Sequence, residues 1–143
     1  MIVEVDFDCP ADVAKITWIL GKERDELAKW KRNTAGAKAF FIPRGSVDSK
    51  NHGAVLLHEI EYTDPKGKRT SHAFIKQFYA SSIEIRDMIL EYLCKEFDEL
   101  RIEFDLTGQN AKPIHNYSQM GFVIWALPDP DEGKARCVAI LKT

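Results

Sequence analysis

Hydrophobic and polar positions follow strand-like and helix-like patterns along the whole chain. Alternating or continuous apolar runs, bounded by turn residues, predict strands in MIVEVDF, TAGAKAFFIPRG, AVLLHEIEY, TSHAFIKQFY, LRIEFDLT, FVIWALPD and ARCVAILKT. Helical spacing from Val13 to Trp30 predicts two helices divided at Gly21. Further helices are predicted in SSIEIRDMILEYLCKEF and GQNAKPIHNYSQMG. The order β-α-α-β-β-β-α-β-α-β-β predicts a mixed sheet with helices packed on it, in the α/β or α+β class.

The turn between the third and fourth predicted strands sets the alignment of a hairpin. Asp64, Pro65 and Gly67 occupy the first, second and fourth positions of TDPKG's turn, which suits a type I turn. A hairpin centred there sets Glu59 opposite His72, to within one residue. The carboxylate could then orient the imidazole as a base. Opposite-charge pairs are also common on exposed sheet faces, so both interpretations stay open.

Polar and conformationally special residues mark the ends of the two later helices. Ser81, followed three residues later by Glu84, matches a capping box. In this motif the side chain of each residue accepts a hydrogen bond from the backbone N–H of the other. Asn110 is a candidate cap for the short helix, and Pro113 is tolerated in its first turn. Gly121 suits a left-handed helix end.

Composition and charge narrow the class of protein. The chain has 143 residues, which predicts one domain spanning 1–143, and a net charge of −2, which argues against a nucleic-acid-binding face. We expect no membrane span, because no apolar stretch is long enough, and no secretory leader, because the first residues lack its pattern. The three cysteines are far apart, so we expect reduced thiols and a cytoplasmic location. His58 and His115 lack ligand spacing, so no metal is expected. The tryptophans are expected in or beside the core: Trp18, Trp30 and Trp125.

One stretch carries a family pattern. The motif is Asn, a small and an apolar residue, Tyr, and then Gly-Phe, and this chain supplies it without a gap through Asn110, Ile114, Tyr117, Gly121 and Phe122. Only Pro113, in the small-residue position, departs from it. Together with the element order over the whole chain, the motif resembles that of the GNAT N-acetyltransferase superfamily.

The resemblance implies a fold and a mechanism. Helices would lie on both sides of a mixed sheet in which two adjacent parallel strands, here HAFIKQF and RIEFDLT, splay apart around the pantetheine of acetyl-CoA. The cofactor would then contact the backbone at Ile75, Lys76 and Gln77, and Asn110 would also lie at its site. Tyr117 would protonate the leaving thiolate, since a phenol stays protonated at neutral pH.

Several acidic residues could accept the proton that the attacking amine loses. The candidates are Glu59, Glu103 and Asp105, any of which could accept a proton directly or activate a water. Glu103 and Asp105 alternate with apolar neighbours, which is also typical of a solvated strand face. Tyr117 has an alternative interpretation too, as a half-buried helix residue with no role in catalysis.

The resemblance is weakest where the family holds the pyrophosphate of CoA. The family pattern there is Gln/Arg-x-x-Gly-x-Gly/Ala at a helix start, because glycines let the backbone approach the phosphates. The matching residues 81–86 contain no glycine. As a capping-box residue, Glu84 would fold its carboxylate onto the N–H groups that phosphates need. Ser81 and Ser82 could instead donate hydroxyl hydrogen bonds, and Arg86 could offset the charge.

Two functions from different classes follow. The first is an acetyl-CoA-dependent transfer of an acetyl group to a primary amine, on a small molecule or a protein. The second is a catalytically inactive GNAT-fold binding or assembly protein. The spacing KEFDELRIEF…N…MGF is similar to that of internal virion proteins of short-tailed phages, which also lack the glycine loop. That alternative would place the chain in a virion, with a protein partner.

Overall fold

The computed structural model describes residues 2–42, 52–106, 112–127 and 135–143. These residues form eleven elements in the order predicted from the sequence. The elements are β1 (Val3–Glu4), α1 (Pro10–Leu20), α2 (Arg24–Asn33), β2 (Ala37–Ile42), β3 (Gly53–Thr63), β4 (Arg69–Ala80), α3 (Ile83–Glu96), β5 (Glu99–Leu106), α4 (Lys112–Gln119), β6 (Val123–Leu127) and β7 (Ala135–Lys142).

The described strands make one seven-stranded sheet in the order β1-β2-β3-β4-β5-β7-β6. Neighbouring strands are antiparallel except β4 and β5, which run parallel in the middle of the sheet. A parallel pair needs a crossover connection, and α3 supplies it. The mixed α/β architecture predicted from the sequence is therefore confirmed.

The sheet carries a hydrophobic core on each face. Successive strand residues point to opposite faces, so Leu56 and Leu57 of β3, both 0% exposed, belong to different cores. Leu57 packs in the core that α3 covers, and Leu56 in the core that α1 and α2 cover. We call these two sides of the sheet the α3 face and the α1 face. No helix in the described ranges is long and apolar enough to cross a membrane.

Local sequence signals place most helix ends where they were expected. Pro10 is the first residue of α1, and Gly21 ends that helix in a left-handed conformation (φ 62°), which confirms the predicted division. Pro113 is the second residue of α4, where its missing N–H has no intrahelical partner. Gly121 follows that helix with a φ of 93°. The predicted cap Asn110 lies outside the described residues.

The β3–β4 hairpin has the predicted turn but a different register. The Gly67 N–H donates to the Asp64 carbonyl at 2.9 Å, as expected for the turn. Gly67 itself adopts a left-handed conformation with a φ of 83°. A type I turn followed by such a residue makes a hairpin loop one residue longer than the turn alone. Ile60 therefore lies opposite His72, and Glu59 lies opposite Ala73. The predicted Glu59–His72 pair is wrong by one residue, which puts the two side chains on opposite faces of the sheet.

Two of the three tryptophans are not core residues. Trp18 is 56% exposed and Trp125 is 59% exposed, so the expectation that both lie in or beside the core is wrong. Trp30 does pack against the core of the α1 face. The apolar pattern of a helix or strand identifies the side that a residue occupies, but not whether another element covers that side, in α1 for Trp18 or in β6 for Trp125.

Candidate active site

The parallel strands β4 and β5 separate halfway along their length. In the described strands, pairing runs from His72 opposite Glu99 to Ile75 opposite Ile102. β4 then continues to Ala80 alongside β3, while β5 continues to Leu106 alongside β7. Each strand thus follows its outer neighbour, and a wedge opens beyond the last paired residues. The strand pair and the splay implied by the resemblance are both present.

A β-bulge in β4 lies where the wedge begins. Leu56 is opposite Gln77 and Leu57 is opposite Ile75, so Lys76 is an extra residue in β4. A bulge bends its strand and increases the local twist, which accounts for β4 leaving β5 after Ile75. The residues predicted to contact pantetheine through their backbone, Ile75, Lys76 and Gln77, lie at this point.

The rim of the wedge presents different side chains on the two faces. On the β4 side, Phe78 packs with the core of the α3 face. Tyr79 lies opposite Ala54, a residue of the core on the α1 face. On the β5 side, Phe104 packs with the core of the α3 face, and Glu103, its neighbour along the strand, points to the other face.

Tyr117 stands beside the β5 side of the wedge on the α3 face. Its ring centroid is 5.0 Å from that of Phe104 and 6.0 Å from that of Phe122. The side chain is half-buried, and this burial raises the pKa of Tyr117 above the ordinary value for a phenol. The two ring contacts hold the phenol in place, and its raised pKa means that it keeps its proton at neutral pH.

The helix after β4 is capped one residue later than predicted. The Ser81 N–H donates to the His52 carbonyl at 2.9 Å, and the His52 N–H donates to Ser81 Oγ at 3.0 Å. Ser81 thus extends the strand pairing, and Ser82 is the N-cap, its hydroxyl accepting the Ile85 N–H at 3.2 Å. The predicted capping box of Ser81 and Glu84 is wrong by one residue. Glu84 is exposed, as the second residue of the helix.

This junction fits an anionic ligand only in part. The first N–H groups of a helix lack intrahelical acceptors and attract anions, and here the Ser82 hydroxyl already accepts one of them. Arg86 turns its guanidinium toward Asp87, with Nη2 3.1 Å from Oδ1. No glycine gives the phosphates a close approach to residues 81–86.

Gly53 of β3 lies directly beneath the first turns of α3, whereas no glycine directly precedes the helix. A Cβ on Gly53 would lie 2.7 Å from Ile89 Cδ1 and 2.8 Å from Ile85 Cγ2. Both distances are shorter than van der Waals contact, so only glycine lets the first turns of α3 sit this close to β3. Gly53 is opposite Ala80, and the close packing therefore fixes the start of α3 beside the open end of β4.

The three candidate bases have different positions. Glu103 directly follows the last paired residue of β5, and its Oε2 lies 2.8 Å from Nη2 of Arg136 in a half-exposed ion pair. Glu59 lies in β3 on the α3 face, opposite the half of β4 that pairs with β5, with Oε1 3.3 Å from Nζ of Lys38. The structure therefore does not bring Glu59 to the wedge. Asp105 pairs through its backbone with Arg136, and its side chain lies outside the described part.

Sequence reasoning missed a charged cluster on the α1 face. Glu99, 7% exposed, places Oε2 3.0 Å from Nδ1 of His72 and 2.9 Å from Nη2 of Arg101. The contact with Arg101 is a hydrogen bond, whereas the contact with His72 is close but lacks hydrogen-bond geometry. The signal in the sequence was the alternation of Glu99 and Arg101 with buried Leu100. The partner His72 could not be assigned, because the register of a parallel pair leaves no local signature.

No group of three or more His, Cys, Asp or Glu side chains within the described ranges is arranged to hold a metal ion.

Solved structures of acetyltransferases share the fold of this chain. No protein-family model and no curated protein sequence matches the chain. A putative GNAT-family acetyltransferase from Desulfovibrio desulfuricans superposes with a TM-score of 0.65 at 11% identity, covering 99% of both chains. The NatC complex bound to Gag peptide and CoA gives 0.54 at 14%, covering 99% of this chain and 98% of the other. Arabidopsis thaliana Naa50 with the bisubstrate analogue CoA-Ac-MVNAL gives 0.51 at 12%, covering 99% of both.

Proposed function

We propose that this chain, which has the GNAT acetyltransferase fold, transfers an acetyl group from acetyl-CoA to a primary amine. The observation that carries the proposal is the wedge between β4 and β5, which pair through Ile75 and Ile102 and then diverge. Beyond that point, the facing backbone edges of the described parts of β4 and β5 are not paired with each other. A pantetheine arm, which carries amide groups, can hydrogen-bond to these edges as a strand would.

The reaction that this site would support is a direct transfer. The amine nitrogen attacks the thioester carbonyl carbon, the C–N bond forms, and the C–S bond breaks. The departing thiolate takes a proton from Tyr117. Burial of this side chain keeps its pKa above the ordinary value. The nitrogen loses a proton to Glu103 or to a water that this carboxylate orients, and proton exchange with solvent restores the phenol.

The acyl donor would be held by backbone and by the helix start. The backbone of Ile75, Lys76 and Gln77 would bind pantetheine, in agreement with their place at the bulge. The pyrophosphate would meet the first N–H groups of α3, where Ser82 and Arg86 are the side chains proposed to donate to it and Glu84 opposes it. Asn110 stays a predicted contributor from outside the described residues.

The ligands of two structurally similar proteins suggest the class of acceptor. NatC was solved with a peptide and CoA, and Naa50 with a CoA–peptide bisubstrate analogue. An amine on a peptide or a small molecule is therefore the acceptor that we propose, in the cytoplasm, where the reduced cysteines predicted for the chain are expected.

One observation favours a second candidate function. The β4–α3 junction is two residues long and glycine-free, and its N-cap hydroxyl already accepts a backbone N–H. A chain that has lost CoA binding would keep the fold and act as a binding or assembly protein, such as a phage virion protein.

A measurement of thermal stability with and without acetyl-CoA separates the two functions. A ligand at 100 times its dissociation constant adds about 2.7 kcal/mol to the free energy of unfolding, so acetyl-CoA at millimolar concentration should raise the melting temperature. Pantetheine alone should raise it less, because it lacks the phosphates. A melting temperature that does not respond to millimolar acetyl-CoA would reject the enzyme and favour the binding protein.

A further inference from the structure

We infer that two copies of this chain associate through the outer side of β6, which we call the β6 edge. β6 is the last strand of the described sheet and pairs with β7 on one side. The backbone N–H and C=O groups on the outer side of such a strand form a template for a further strand. This inference concerns assembly and does not depend on acetyl transfer.

The β6 edge lacks the features that keep an edge strand from pairing. Natural sheets protect their edges with charged residues, proline, a bulge or a very short strand. The sequence of β6, VIWAL, contains no charged residue and no proline, and its pairing with β7 runs without a break from Val123 to Leu127. At the other end of the sheet, β1 is two residues long and includes Glu4. Of the two ends of the described sheet, β6 is therefore the one open to a further strand.

Two large apolar side chains stand on the α1 face of the β6 edge. Val123 is 58% exposed and Trp125 is 59% exposed. Ile124 packs with the core of the α3 face, so its two neighbours point to the α1 face. The helices on that face pack elsewhere, α1 on β3 and β4, and α2 on β2. A second molecule could therefore remove both side chains from water.

The surface around the β6 edge is poor in charge. Residues 113–127, which form most of α4 and all of β6, contain no Asp, Glu, Lys or Arg, although such residues make up 29% of the chain. α4 packs beside β6, and its exposed side chains within this segment are His115, Asn116, Ser118 and Gln119. Depletion of charge together with an exposed aromatic residue is typical of the centre of a protein interface.

A second copy is the occupant that fits this edge. Identical edge strands can pair antiparallel around a two-fold axis. Centring that axis on Trp125 gives every residue of β6 a partner, with Trp125 opposite Trp125 of the second copy and Val123 opposite Leu127. Aromatic pairs directly across two antiparallel strands stabilise the pairing, and no like charges meet. A different protein would be selected by complementary charge, which this surface does not offer.

The size of the β6 edge indicates a weak dimer. A standard interface buries about 800 Å² and about 20–30 residues on each partner. The uncharged segment, residues 113–127, is shorter than that. We therefore expect monomer and dimer to interconvert with concentration.

Sedimentation velocity of the full chain tests the inference. The mass should rise from the 16.3 kDa of one chain toward twice that value between low and high micromolar concentration. Trp125→Glu and Trp125→Lys each place like charges across the two-fold axis, so either should weaken the dimer at least about tenfold. An equimolar mixture of the two variants places opposite charges there and should restore the dimer.

The matched control is Ile83→Glu. Ile83 is an apolar side chain that is 67% exposed at the start of α3, so this substitution should leave the dimer unchanged. Because Trp125 is exposed, both of its variants should keep the melting temperature that the wild-type chain has at low concentration.

The remaining outcomes overturn the inference. A chain that stays monomeric at every concentration would leave the β6 edge to a different protein. Assemblies larger than a dimer, or a dimer that Trp125→Glu leaves intact, would place the contact elsewhere. A dimer that the mixture does not restore would exclude the two-fold pairing at Trp125. None of these results bears on the binding of acetyl-CoA, which the thermal measurement tests separately.

Discussion

The acid role proposed for Tyr117 depends on the residues that surround its ring. Packing between Phe104 and Phe122 removes part of the phenol from water, and this desolvation disfavours the phenolate. Because burial raises the pKa of Tyr117, the group keeps its proton throughout the range in which an amine acceptor is partly deprotonated. A general acid at this position is thus available without a further charge beside it.

Replacement of Tyr117 by Phe tests this role. The ring packing stays, so the response of the melting temperature to acetyl-CoA should be unchanged, while kcat should fall by about 10²-fold or more. The pH profile gives an independent readout. Activity that needs the protonated phenol is present below its pKa and lost above it, so the alkaline fall should begin above about pH 10 and be missing in Tyr117→Phe. An unchanged kcat would remove the proton-donor role.

Glu99 is expected to matter for stability. Replacing it with Ala leaves His72 and Arg101 without their shared carboxylate. We expect a loss of about 2 kcal/mol in the free energy of unfolding by urea, below the ~3–5 kcal/mol of fully buried pairs because the two partners are partly exposed. The control is Glu103→Ala, which breaks a half-exposed pair with Arg136 and should cost less than about 1 kcal/mol. Equal losses would contradict this account.

At the scale of elements, the proposed phosphate site depends on the start of α3. The backbone donors of its first turn favour phosphate, and Glu84, exposed in that turn, opposes it. The strand pairing of Ser81 moves the cap to Ser82, so the carboxylate is not tied back onto the helix end as the capping box predicted. The negative charge remains close to the proposed phosphate site.

Glu84→Gln removes this charge and keeps the size of the side chain. The dissociation constant of CoA, measured by calorimetry, should fall about fivefold at low salt, an interaction on the order of 1 kcal/mol for a solvent-screened charge. The matched control is Glu91→Gln in the same helix, two turns further on, which should change it little. Equal effects of the two substitutions would mean that phosphate does not bind at the start of α3.

At the scale of the whole molecule, one sheet joins two cores. Leu56 and Leu57 are neighbours in β3, both 0% exposed, and they point into the cores of the α1 face and the α3 face. Since β2 and β3 contribute buried residues to both cores, loss of either core removes the support of the same backbone. The two sides should therefore unfold together.

Leu56→Ala and Leu57→Ala test this coupling. Each should lower the free energy of unfolding by about 2–5 kcal/mol, as large-to-small core substitutions do. Urea unfolding followed by circular dichroism and by tryptophan fluorescence should give one coincident transition in both variants. Separate transitions, with one variant affecting only one of them, would show that the two faces unfold independently.

The sequence by itself determined the features that depend on neighbouring residues. Periodicity gave the order of all eleven described elements, and the chemistry of Pro10, Gly21, Gly67 and Gly121 marked where elements begin, turn or end. These signals are local, because a backbone dihedral or a missing N–H acts within a few residues. The motif around Tyr117 added the expectation of a splayed parallel pair, which the strand pairing of β4 and β5 confirms.

Only the tertiary structure decided the features that depend on distant partners. One extra turn residue moved Glu59 away from His72, and a strand bond to His52 moved the cap from Ser81 to Ser82. The shared carboxylate of Glu99 and the exposed ring of Trp18 likewise follow from which strands and helices become neighbours. Alternation along one strand does not specify the residue opposite, because a shift of one position reverses the face of every side chain.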